Sequence, residues 1–191
     1  MKTIRYCNET LTVAGFVTPE GYGLIEKNGP DLKMEKPFKK VFCGPETKSI
    51  QTAAAIMASL RKKTIDLEQI KDFKSLHFGN LLLKSGFFSY RREQENNFLD
   101  SFYNFFRPMV VSREEKLCAD ALKNCFANLA DGQNGLAINS ARHILLAANH
   151  FNPEKRLTFL GELDYIDFVC DDQGIITAAP KKITAAAVKS L

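Results

Sequence analysis

The sequence predicts an α/β fold of three layers, a mostly parallel central sheet with helices on both faces. Three observations lead there. Short apolar runs suited to buried strands alternate with longer stretches of helical periodicity, the signature of βα units rather than of a sandwich or a bundle. The run Val41-Phe42-Cys43 stops at Gly44-Pro45 and passes into a segment where Ile50, Ala53, Met57 and Leu60 recur three to four residues apart. A chain of 191 residues, 45% hydrophobic and 25% charged, is long enough for one sizeable core and short for two.

Taken in order, residues 3–7 read as a first strand, apolar apart from Arg5. Residues 11–17 are a loop or extended segment, and Thr18-Pro19-Glu20-Gly21 starts a helix, with Thr as N-cap and Pro at the first helical position. Pro30 kinks or ends that helix early. The strand at 41–43 feeds the helix through Glu46, Thr47 and Lys48, so these three sit at a helix amino end, where backbone N–H groups point outward and can hold a phosphate. Residues 65–70 form a weak third strand. The stretch 81–108 is rich in aromatics. Phe98, Phe102 and Phe105 are helically spaced and belong to a core, while the exposed remainder lines a ligand pocket or a partner surface. Ser112-Arg113-Glu114-Glu115 is a capping box ahead of the apolar face Leu117, Ala121, Leu122, Cys125 and Leu129, and Gly132 ends that helix. Residues 135–139 are a short buried strand followed by a helix through Ala148. Residues 157–170 and 175–179 close the fold as a hairpin around Asp171-Asp172-Gln173-Gly174, and the tail 181–191 frays. There is no internal repeat or low-complexity linker, so the expectation is one domain over 1–191, with 81–108 as a variable cap or insertion.

The net charge of +4 is mild, and the basic residues are scattered in pairs and triplets such as Arg61-Lys62-Lys63 and Lys181-Lys182, so nucleic acid is not indicated as a partner. Five Cys without C-x-x-C spacing, most in apolar patterns, suit a reducing compartment. The three His (His77, His143, His150) do not pair with Cys at ligand spacing, and neither metal nor cofactor is expected. The amino terminus lacks the apolar core of a signal peptide, and no run is of membrane-spanning length; the expected location is cytoplasmic.

Several stretches carry a resemblance. The strand followed by Gly44-Pro45-Glu46-Thr47-Lys48-Ser49-Ile50-Gln51-Thr52-Ala53 resembles the second motif of the histidine-phosphatase (phosphoglycerate-mutase-like) superfamily, which reads Ser-Pro-x-x-Arg-x-x-Gln-Thr-Ala. Thr18-Pro19, Gly21, Gly29 and Leu32 are similar to its first helix. Phe73-Lys74-Ser75-Leu76-His77-Phe78-Gly79 is similar to its third motif, Leu-Arg-Glu-x-x-Phe-Gly, and Ser140-Ala141-Arg142 falls where relatives read Ser-His-Gly. The resemblance implies a phosphoglycerate-mutase-like fold. It also implies a site in which a first-strand His, from Arg-His-Gly, carries the phosphoryl group while two Arg and a second His hold its oxygens and a Glu protonates the leaving group.

Matched to that pattern, the nucleophile position is Tyr6, the acid is Ser75, the second His is Ala141 and the motif-two Arg is Lys48. No His precedes His77, so no registration of the first strand supplies an imidazole. A phenol with pKa near 10 is almost wholly protonated at pH 7. A serine hydroxyl cannot donate a proton as a carboxylic acid does, and Lys keeps the charge of Arg without its two-pronged grip. The expectation is therefore a degenerate relative of phosphomonoester hydrolases and mutases. It lacks phosphohistidine chemistry and binds a phosphorylated small molecule, a phosphoprotein or another anion through Arg5, Lys48 and Arg142, or docks a protein partner over 81–108. Two alternatives stay open. One is an active phosphatase with Cys7 or Tyr6 as replacement nucleophile, and the other is a pure interaction protein with a vestigial, filled pocket.

Overall fold

A computed structural model describes residues 1–60, 66–73, 85–94 and 97–182. In chain order the elements are β1 (Lys2–Asn8), β2 (Thr12–Val13), β3 (Phe16–Val17), α1 (Pro19–Asn28), β4 (Phe38–Cys43), α2 (Thr47–Ser59), β5 (Asp66–Gln69), α3 (Phe87–Gln94), α4 (Phe98–Phe105), α5 (Pro108–Ala127), β6 (Asn134–Asn139), α6 (Ala141–Phe151), β7 (Tyr165–Cys170) and β8 (Ile176–Lys182). Six strands make one sheet in the order β5-β4-β6-β1-β7-β8. The first four are mutually parallel, and β7 and β8 continue antiparallel. Strands β2 and β3 form a small separate hairpin.

Parallel strands covered on both faces need apolar residues on both, which is why β6 is buried along its whole length. Strand alternation sorts the side chains into two cores. Ile4, Tyr6, Phe42, Ala137, Ile166 and Phe168 meet α4, α5 and α6 on one face. Cys7, Val41, Cys43, Leu136, Ile138 and Tyr165 meet α1 and α2 on the other. This is the three-layer, mostly parallel α/β arrangement expected from the sequence.

Most elements fall where the sequence puts them. Thr18 caps α1, its Oγ accepting from Gly21 N–H at 3.1 Å, and Pro30 turns the chain into a 3-10 helix over Gly29–Leu32. Gly21 has room for nothing larger, since a Cβ there would lie 2.6 Å from the Leu11 carbonyl oxygen. Three details differ. Helix α5 begins at Pro108, so Ser112 lies inside it rather than at its cap. Proline's missing N–H costs nothing at a first helical position, and Val110 and Val111 carry the helix forward from there. That helix ends at Ala127, and Gly132 belongs instead to the turn before β6, at φ +74°. The closing hairpin is β7–β8, so its first strand starts at Tyr165 rather than 157, and Ile166, Phe168, Ala178 and Ile176 carry the alternation. Residues 74–80, 81–84 and 183–191, and with them most of the third motif and the tail, lie outside the described residues. Among the described residues, no helix is long and apolar enough to cross a membrane.

Helix α5 buries two carboxyl groups, Glu114 and Glu115. Glu115 accepts from the Tyr103 hydroxyl at 2.8 Å. Burial pushes the Glu114 carboxyl up to about 6, with Arg113 opposing. The folded chain then keeps a proton that the unfolded chain releases near the ordinary value of 4.5, so this contribution is present below 4.5 and is lost as pH rises through 6. Glu114→Gln should therefore leave stability unchanged at pH 4 and raise it at pH 7 by up to about 2 kcal/mol. Urea denaturation at the two pH values checks this.

Candidate functional site

The site is built where three parallel strands end together. Because β1 pairs with β6 in the register Asn8 opposite Asn139, and β4 pairs with β6 with Cys43 opposite Ile138, all three exits share one edge. The backbone laces them. Glu9 N–H donates to Asn139 O at 3.1 Å, Gly44 N–H to Ile138 O at 3.3 Å, and Asn8 N–H to Asp164 O at 2.8 Å. Gly44 is packed closely, since a Cβ there would stand 3.1 Å from both the Phe73 carbonyl oxygen and Ser49 Oγ. Helix α2 starts immediately beyond, bringing Lys48 and Ser49 to this edge on its first turn.

Here a charged cluster forms. Lys48 Nζ lies 2.9 Å from Glu9 Oε2 and 3.3 Å from Glu46 Oε2. Ser49 Oγ donates to Glu9 Oε1. The Glu9 side chain is only 7% exposed, so its carboxylate depends on these donors. Burial disfavours the Lys48 ammonium, but Glu9 and then Glu46 outweigh it and raise its pKa above the ordinary value, so the group stays charged.

Beneath this cluster, on the α5/α6 face, lies a second polar group. The Asn139 amide donates to the Tyr6 hydroxyl at 3.3 Å and to the Phe73 carbonyl at 3.2 Å. That leaves the phenol hydrogen for His143 Nδ1 at 2.9 Å, an arrangement that suits an imidazole with its own hydrogen on Nε2. Phe73 stacks on Tyr6 with centroids 5.3 Å apart and meets His143 edge-on. Tyr6 is fully buried, and burial holds its pKa well above the usual phenol value.

The expected site residues separate. Lys48 is at the edge, as the second motif implies. Arg142 follows β6 at the start of α6, and its guanidinium sits 3.8 Å over the Phe98 ring. Ala141 is the first residue of α6, and Ser75 lies outside the described residues. Cys7 is fully buried, its thiol 3.3 Å from the carbonyls of Leu163 and Asn8. Arg5 is placed elsewhere. It lies four residues before Glu9, about 13 Å along an extended chain at ~3.3 Å per residue. Its Nε and Nη2 reach the two Asp167 oxygens at 2.8 and 2.9 Å, and its Nη1 reaches the carbonyls of Leu32 and Lys33. The guanidinium also stacks 3.9 Å over Tyr165. It borders a half-open cavity of about 580 Å³ at the amino end of β1, with Thr3, Lys33 and Asn134, and is not beside Lys48. No family motif assigns a role to Glu9, Ser49 or Asn139; Ser49 falls at an unspecified position of the second motif. Glu9 alone leaves a trace in the sequence, as a carboxylate directly after the first apolar strand.

Comparison with known proteins finds likeness in structure. No family model and no curated protein matches this sequence. Among solved structures, phosphoglycerate mutase from Bacillus anthracis str. Sterne is similar over 94% of this chain and 92% of that one, at 15% identity and a TM-score of 0.71. YhfR of Bacillus stearothermophilus is similar over 97% and 98%, at 10% identity and a TM-score of 0.69. The phosphoserine phosphatase of Entamoeba histolytica, in complex with 3-phosphoglyceric acid, is similar over 97% and 98%, at 15% identity and a TM-score of 0.65. At such identities the likeness is one of fold.

The place of Arg5 makes a stability prediction. Arg5→Met strands the Asp167 carboxylate, 2% exposed, in the core and should cost about 3–5 kcal/mol in urea denaturation. Arg5→Met with Asp167→Leu should recover most of that loss, because no buried charge is left alone.

Proposed function

We propose that this chain, which has the phosphoglycerate-mutase-like fold, is a histidine-phosphatase relative without phosphohistidine chemistry, and that it holds a phosphorylated or otherwise anionic ligand at the carboxyl edge of its sheet. One observation carries the reading: the two side chains that the first strand offers in place of an imidazole, the Tyr6 phenol and the Cys7 thiol, lie on opposite faces of the sheet, and neither is equipped to attack. Tyr6 is fully buried and its phenol is held protonated, while Cys7 is buried on the opposite face with its thiol against backbone carbonyls. A phenol or a thiol attacks as its anion and must meet phosphorus in line. These placements weigh against Tyr6 or Cys7 as a replacement.

The ligand reading rests on Lys48. It is a cation at the edge, it is delivered by a helix amino end, and it remains charged. The ligand is a phosphorylated small molecule or phosphoprotein side chain. Docking of a protein over 81–108 is less favoured, since Phe87, Phe98 and Phe102 are buried in the main core and Phe88 is the exposed aromatic among the described residues there.

Two measurements test this. Purified protein incubated with a radiolabelled low-molecular-weight phosphodonor should acquire no acid-labile label, and it should turn over p-nitrophenyl phosphate no faster than its Lys48→Met variant. A label on histidine, or turnover abolished by Cys7→Ser, overturns the reading. Inorganic phosphate should bind weakly by titration calorimetry and lose that binding in Lys48→Met; binding indifferent to Lys48 overturns the ligand half.

A further inference from the structure

We propose that Glu9 is an internal stand-in for the ligand, a carboxylate latch that occupies the anion position on Lys48 and Ser49 and must swing away before a phosphoryl group can enter. The inference rests on the reading of this edge as an anion site and concerns its regulation. Four observations support it.

First, Glu9 takes the two donors an oxyanion would use, the Lys48 ammonium at 2.9 Å and the Ser49 hydroxyl. Both come from the first turn of α2, where outward backbone N–H groups favour negative charge. Second, among the described residues the resting cluster sets one ammonium against two carboxylates, Glu9 and Glu46, an arrangement whose own charge is negative and opposes an incoming anion. Third, the latch is not equal to its competitor. A carboxylate offers one charge on two oxygens, whereas a phosphomonoester near pH 7 offers up to two charges on three oxygens. A ligand of that class therefore displaces Glu9 where a simple carboxylate does not. Fourth, the geometry restricts the motion to a side chain. The Glu9 backbone is tied through its N–H to Asn139 O, and its neighbours are tied by Asn8 Nδ2 to Gly161 O at 2.8 Å and Thr10 Oγ to Gly21 O at 3.0 Å. With its backbone tied, Glu9 moves its carboxylate off Lys48 by rotation about its side-chain bonds.

Glu9→Gln tests the latch. The amide keeps the shape and one acceptor but gives up the charge, so it should bind inorganic phosphate at least tenfold more tightly than the parent, by calorimetry at fixed ionic strength. Glu46→Gln removes an equal charge from a more exposed partner of Lys48 and should gain clearly less. Adding Lys48→Met to Glu9→Gln should abolish the gain. Circular dichroism melts report whether Glu9→Gln is folded. Should it not be, Glu9→Asp, which withdraws the carboxylate by one methylene, should show an intermediate gain. Equal gains from Glu9→Gln and Glu46→Gln reduce the effect to net charge and overturn the latch. A parent that binds phosphate, with Glu9→Gln within twofold of it, overturns the latch and leaves the anion site standing. No phosphate binding by the parent or by folded Glu9→Gln overturns both.

Discussion

Because β1 and β6 run parallel, with Cys7 opposite Ile138 and Asn8 opposite Asn139, the chain leaves both strands at one level, and the exits can be tied by a hydrogen bond from Glu9 N–H to the Asn139 carbonyl. The site depends on that pairing. It places Glu9 against the first turn of α2, and it sets the Asn139 side chain beside Tyr6. A one-residue slip would turn Tyr6 toward α1 and α2 and Cys7 toward α5 and α6, breaking the polar group beneath the edge. The apolar flanks hold the register. Ile4 and Tyr6 fill one core, Cys7 the other, and β6 is buried along its length.

The same alternation explains how a strand so deeply buried tolerates an arginine. Arg5 faces the α1/α2 side, where its cross-strand partner in the antiparallel ladder is Asp167. A bidentate carboxylate, two carbonyls at the end of the 3-10 turn and a tyrosine ring together satisfy the guanidinium. Asp167 outweighs the burial that works against the Arg5 charge, and the pKa is raised. These contacts join the middle of β1 to β7 and to the end of the 3-10 turn.

At the site itself, polar groups answer one another in two storeys. Above, carboxylates hold an ammonium and a hydroxyl. Below, an amide, a phenol and an imidazole share hydrogens in a chain closed by the Phe73 carbonyl. Burial keeps the phenol neutral, and a neutral phenol can serve as both donor and acceptor, so it links Asn139 to His143. The upper storey holds an ammonium against two carboxylates at the strand exits, so an arriving anion perturbs it first.

The sequence by itself determined the layers, the helix start at Thr18, the break at Pro30 and the delivery of Lys48 to a helix amino end. Each of these is a local matter of side-chain period, capping or backbone freedom. It also excluded an imidazole from the first strand, by simple absence. It did not determine that Pro108 rather than Ser112 opens α5, because both are good local starts and either fits the periodicity that follows. Nor did it reveal that Arg5 meets Asp167 across 162 positions, or that Glu9 meets Lys48 and Ser49. Those partners are brought together only by the strand order β4-β6-β1-β7. A charge in a sequence shows its sign, but whether it awaits a ligand or is already answered depends on which distant strand is laid beside it.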